Sequence, residues 1–132
     1  MDIFTLVDDV QRAIEPLREE RGDFTLAMLY NSDGLHAGSS WNLIISAPWT
    51  DKMGLAEATR LLAYALSERL EAQDKPAISR VTVMKTTDPF VRDITRLYPD
   101  VGHAGPKPVN QLSAGSVSEG SAFVLYSQRV AA

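Results

Sequence analysis

The chain has 132 residues, 45% of them hydrophobic and 23% charged, a composition suited to one folded core and too apolar for an intrinsically disordered chain. Its 13 Lys and Arg stand against 17 Asp and Glu, a formal net charge of −4. That balance argues against sequence-independent nucleic-acid binding, which needs a cationic surplus on at least one face. No cysteine is present, so disulfides, thiolate zinc sites, iron–sulfur clusters and cysteine nucleophiles are excluded together.

The opening Met1-Asp2-Ile3-Phe4 runs to the acidic pair Asp8-Asp9 and lacks the basic-then-apolar order of a secretory leader. Apolar stretches are strand-sized, far below the roughly 20 residues of a membrane helix. A cytoplasmic protein without membrane contact is therefore expected, as a single domain over residues 1–132.

The first element reads as an amphipathic helix, with Ile3, Leu6, Val7, Val10, Ile14 and Leu17 at three- and four-residue spacing. Asp2 is its expected cap, Pro16 predicts a kink or restart near residues 13–15, and Gly22 closes it. Two strands follow, Phe24 to Tyr30 and Trp41 to Ala47, across a turn-rich loop from Asn31 to Ser39, so a hairpin is predicted. Both faces of each strand carry apolar residues, as in central strands covered on two sides or covered by a partner chain. Pro48 ends the second strand, and Thr50 or Asp51 is expected to cap a long helix from Lys52 to Ala72 with Leu55, Ala58, Leu61, Leu62, Ala65, Leu66 and Leu70 along its stripe.

Residues 78–85 form the next predicted strand, with Val81 and Val83 on one face and Ile78 and Met84 on the other. Asp88-Pro89 is a helix start, a carboxylate cap followed by proline at the first helical position. Phe90, Ile94 and Leu97 lie on one side of that helix, and residues 122–127 make the last strand. The stretch from residue 99 to 118 is left as a long loop, though Val109 to Leu112 has strand or helix-turn character. The element order is α-β-β-α-β-α-β. A helical crossover makes the second and third strands parallel, so the expectation is an α+β fold with a mixed four-stranded sheet layered with helices.

Parallel strands two and three would release Trp49, Thr50, Asp51 and Lys52 at the same sheet end as Lys85, Thr86, Thr87 and Asp88. Each run enters a helix N-terminus, where free N–H groups favour an anion. The hydroxyls and the two lysines suit a phosphate or carboxylate, and Trp49 offers a stacking face. The competing reading is structural, because Asp51 and Asp88 are residues that helix starts use as caps. No phosphate-binding glycine loop or dinucleotide fingerprint is present, and no cofactor is expected.

His36 and His103, the only histidines, sit beside glycines without metal-ligand spacing, so no metal site is assigned. Gly38-Ser39-Ser40 precedes a strand and is not a nucleophile elbow. Arg80, Lys85, Arg92 and Arg96 form a locally basic stretch suited to phosphates or an acidic partner. With no nucleophile–base constellation readable, no catalytic residue is assigned. The expected function is a non-catalytic interaction or regulatory module, resembling immunity or antitoxin proteins only in masking a partner. Its partner would be a protein, reached through residues 99–118 or an apolar sheet face, or a second copy in a homodimer. The alternative is a small-molecule anion binder or enzyme using the strand ends just described.

Overall fold

The structure, a computed structural model, describes residues 3–31, 41–101, 107–109 and 121–128. Helix α1 (Ile3–Arg21) leads to strands β1 (Leu26–Asn31) and β2 (Trp41–Ser46). Then come a single turn α2 (Pro48–Asp51), helix α3 (Leu55–Arg69), a 3₁₀ turn (Lys75–Ala77), strand β3 (Ile78–Val83) and helix α4 (Pro89–Leu97). Short strands β4 (Asp100–Val101) and β5 (Lys107–Val109) precede the long β6 (Ser121–Gln128).

The four long strands lie in the order β3-β2-β1-β6, and β4 and β5 both pair with β6 beyond them. Among the described residues only the β2–β3 pairing is parallel, with Leu43 opposite Val81 and Ile45 opposite Val83. The others are antiparallel. This is the mixed α+β sheet expected from the order of elements, and β1 and β2 are its buried centre.

Alternation sends the two faces of the sheet to different helices. Ala27, Leu29, Leu43, Ile45 and Phe123 pack with Leu6, Val10, Ile14 and Leu17 of α1 and Leu62, Ala65 and Leu66 of α3. Leu26, Met28, Ile44, Ala122 and Val124 pack with Phe90, Val91 and Ile94 of α4. A bulge interrupts the β1–β6 register between Ala27 and Met28: Met28 faces Val124, but Ala27 faces Tyr126. Leu125 is the extra residue, and beyond it the facing of β6 is reversed. Phe123, Leu125 and Tyr126 consequently all belong to the α1 side.

Several sequence expectations need correction. Helix α1 runs from Ile3 to Arg21 with Pro16 inside it and no restart. Proline there has no N–H to offer the carbonyl of Arg12, and Arg12 is exposed. The helix expected over 52–72 starts later, at Leu55, and ends at Arg69; a separate turn, α2, precedes the break at Met53-Gly54, and Gly54 becomes the N-cap of α3. Neither Thr50 nor Asp51 caps that helix. Leu55 and Leu97, expected on buried stripes, are 50% and 57% exposed. Ile78 packs on the same cluster as Val81 and Val83 because a second irregularity falls between Trp41 and Asn42 in the β2–β3 register. Strand β3 ends at Val83, and β4 and β5 occupy part of the stretch read as loop.

Gly22 does close α1: its φ of +120° is one that a side chain would strain, and its N–H returns to the Arg18 carbonyl at 3.0 Å. Asp88 caps α4 as expected, its Oδ1 accepting from the Phe90 N–H at 2.9 Å with Pro89 at the first position. No helix among the described residues is long and apolar enough to cross a membrane.

Candidate functional site

Because β2 and β3 are parallel neighbours, the segments following them do leave the same sheet end. Thr50 is buried at 1% exposure, and its hydroxyl donates to the Ala47 carbonyl at 2.9 Å while accepting from the Ala47 N–H at 3.1 Å. Both of its hydrogen-bonding roles are used inside α2. Asp51 bridges to the other segment. It accepts from the Thr86 N–H at 3.1 Å and from the Thr86 hydroxyl at 2.6 Å. Asp88 is occupied by its cap, and its own N–H reaches the Lys85 carbonyl at 3.0 Å.

Trp49 is engaged elsewhere. Its indole N–H donates to the Gly22 carbonyl at 3.1 Å, and its ring lies 5.9 Å from Phe24 and 5.8 Å from the Arg21 guanidinium. Lys52, Lys85 and Thr87 are exposed, and neither lysine makes an ion pair among the described residues. The structure thus joins Asp51 with Thr86, gives Thr50 and Asp88 structural bonds, and leaves the two lysines facing water.

A second polar corner was not anticipated from the sequence. The C-terminal half of α1, Asp23-Phe24, Val101 of β4 and the end of β6 border a half-open cavity of about 320 Å³. Glu15 and Arg18 are three residues apart on α1, and Arg18 donates to Glu15 through Nε at 3.2 Å and Nη2 at 2.6 Å. Its remaining arm reaches Asp23 at 2.9 Å. The Tyr126 hydroxyl donates to Glu15 Oε2, and the Arg18 guanidinium also sits 5.5 Å from the Tyr126 ring centre. Gln11 donates from its amide to the Leu125 carbonyl at 3.2 Å, tying α1 to the bulge.

The electrostatics of this corner are self-consistent. The hydrogen bonds from Arg18 hold the Glu15 carboxyl below its ordinary pKa against the opposing effect of partial burial, with Tyr126 helping. Burial, followed by the adjacent Glu15, pushes the Tyr126 phenol up. Bonding to Glu15 and then to Asp23 raises Arg18. Near neutrality Tyr126 is a donor, Glu15 an acceptor and Arg18 a cation, so the corner can hold a polar group but has no member poised to exchange a proton. Sequence parity concealed it, since Tyr126 would share a face with Val124 were it not for the bulge.

A third feature lies between α1 and the turn after α3. Asp74 is fully buried, and neither carboxylate oxygen has a hydrogen-bond donor among the described residues. Burial, followed by the neighbouring Asp9 and Glu71, raises its pKa to about 6. Protonated Asp74 can donate to the Asp9 carboxylate; ionised, it has two like charges beside it.

Among the described residues no group of three or more His, Asp or Glu side chains is placed to hold a metal. His36, His103 and Gly38-Ser39-Ser40 lie outside the described residues. In the basic stretch, Arg96 pairs with Asp93 at 3.2 Å on α4, and Arg80 is exposed on β3. No protein-family model matches the chain, and comparisons with curated proteins and with solved structures gave no match.

Proposed function

We propose that this chain is a non-catalytic protein-interaction or regulatory module, working in the cytoplasm by masking or holding a protein partner. One observation carries the reading: both polar corners are closed on the protein's own groups. Asp51 is taken by Thr86, Asp88 by the α4 N-terminus, and Glu15 by Arg18 and Tyr126. A catalytic acid or base needs an unspent hydrogen-bonding position and a pKa near the working pH. The carboxylate and phenol of the cavity are instead displaced away from neutrality on opposite sides.

Two measurements test it together. A thermal-shift screen of phosphorylated and carboxylated metabolites is expected to leave the melting temperature unchanged. Affinity capture from the native host is expected to return a protein in stoichiometric amount. Bait recovered alone, or a metabolite that shifts melting, overturns the reading.

A second reading keeps an anion at the ends of β2 and β3. The observation favouring it is the pair of exposed lysines, Lys52 and Lys85, without ion-pair partners among the described residues, beside the exposed Thr87. Under that reading Lys52→Ala and Lys85→Ala abolish an anion's thermal shift while changing stability by less than about 0.5 kcal/mol.

A further inference from the structure

We infer that the outer edge of β3 is a docking edge for an extended acidic segment of a partner protein, which joins the sheet as an added strand. The inference deepens the interaction-module reading and rests on it. Strand β3 ends the strand order, and among the described residues no strand pairs with its outer side.

The direction of its backbone groups follows from two bonds. Met84 N–H donates to the Ile45 carbonyl at 2.9 Å, so the even-numbered residues of this stretch turn their amides toward β2. On the far side of β2, Ser46 turns its carbonyl to β1, where the Thr25 N–H meets it at 2.9 Å. Alternation then leaves the N–H and C=O of Val81 and Val83 pointing away from the sheet. Four strong hydrogen-bonding groups stand along this edge at the spacing of a strand. The side chains of Val81 and Val83 are only half-buried, so an added strand would also cover apolar surface.

Charge selects the occupant. From Lys75 to Lys85 the sequence holds three cations and no acid, within a chain of net charge −4. Lys75, Arg80 and Lys85 are all exposed, and none forms an ion pair among the described residues. Arg12, Arg18 and Arg96, by contrast, each meet a carboxylate. Acidic side chains on an added strand would lie opposite Arg80 and near the flanking lysines, at the spacing of cross-strand pairs. A second copy brings like charge against like charge along the same strip. A nucleic acid would meet the cations but lacks the alternating amide donors and acceptors that the open ladder matches.

The test uses the full chain and a labelled ten-residue peptide alternating Glu with Val. A Lys–Val peptide, a ten-nucleotide oligothymidylate and the protein alone at rising concentration are the controls. Binding of the acidic peptide, with slowed amide exchange at Val81 and Val83, is expected. Arg80→Glu should weaken it by roughly tenfold or more, as charge reversal at a pairing position does. Val81→Pro should abolish binding while leaving the sheet folded, because that N–H faces outward. Thr82→Pro, whose N–H faces β2, should destabilise the fold. Failure of the acidic peptide to bind, equal binding of the Lys–Val peptide, or binding without protection of Val81 and Val83 overturns the proposal. So does protection that rises with protein concentration alone, which assigns the edge to a second copy, or tighter binding of the oligonucleotide. A host partner still captured at full yield by Arg80→Glu and Val81→Pro baits removes the edge from the account and leaves the module reading standing.

Discussion

Helix α1 carries two carboxylates into contact with the rest of the protein, and their fates are opposite. Glu15 meets Arg18 and the Tyr126 hydroxyl, so its charge is supplied with donors and its pKa falls. Asp9 meets Asp74, which is buried without a donor, and there the pKa of Asp74 rises. Burial opposes the charge of both Glu15 and Asp74. What separates them is the supply of hydrogen-bond donors, not depth alone.

The largest test of that contrast is Glu15→Ala, which leaves Arg18 with only Asp23 and the Tyr126 hydroxyl without its acceptor. We expect a loss of about 2–3 kcal/mol in chemical denaturation, the range for removing charge-assisted hydrogen bonds. The stability conferred by Glu15 is present above its ordinary pKa of 4.5 and is lost as pH falls through its lowered folded value. Asp74 works in the other sense: its contribution is present below its ordinary value of 3.8 and is lost as pH rises through about 6. Asp74→Asn should therefore stabilise the protein at pH 7.5, by on the order of 2 kcal/mol, and change little at pH 4. A melting curve for the variant that shifts equally at both pH values would contradict the donor argument.

Smaller effects sharpen the comparison. Asp51→Ala strips acceptors from the Thr86 N–H and hydroxyl at a half-exposed position, and about 1.5 kcal/mol is expected from urea unfolding. Asp88→Ala removes a helix cap and should cost about 1 kcal/mol, measured the same way. If Asp51→Ala proves the milder of the two, the bridge between the strand exits contributes less than a local cap.

Much of the scaffold was legible in the amino-acid order. Pro48 and the Leu- and Ala-rich stripe announced a helical crossover between parallel strands, Asp88-Pro89 announced the helix that follows, and β2 and β3 are parallel neighbours. The break at Met53-Gly54 was missed because the apolar stripe begins only at Leu55 and does not itself mark where the helix starts, although glycine is an acceptable N-cap. Strands of two and three residues such as β4 and β5 are too short to display a period. The expected strand ends were located, but not that Thr50 would turn its hydroxyl inward or that Trp49 would bind the end of α1. Arg18 and Glu15 lie off the apolar stripe of α1 and have no spacing that marks a site, and Asp74 falls in a turn with no pattern. Their partners are 111 residues away for Glu15 and on a separate element for Asp74, a distance that local periodicity does not encode.

The unpaired residue in β6 has an outcome larger than its size. Were Leu125 paired opposite Ala27 in an unbroken ladder, the phenol would instead turn to the α4 side. The carboxylate and guanidinium on α1 would remain where they are, facing a different neighbour. The identity of that corner is thus written in the register of a strand, and a one-residue slip of the pairing erases it while every participant is still encoded.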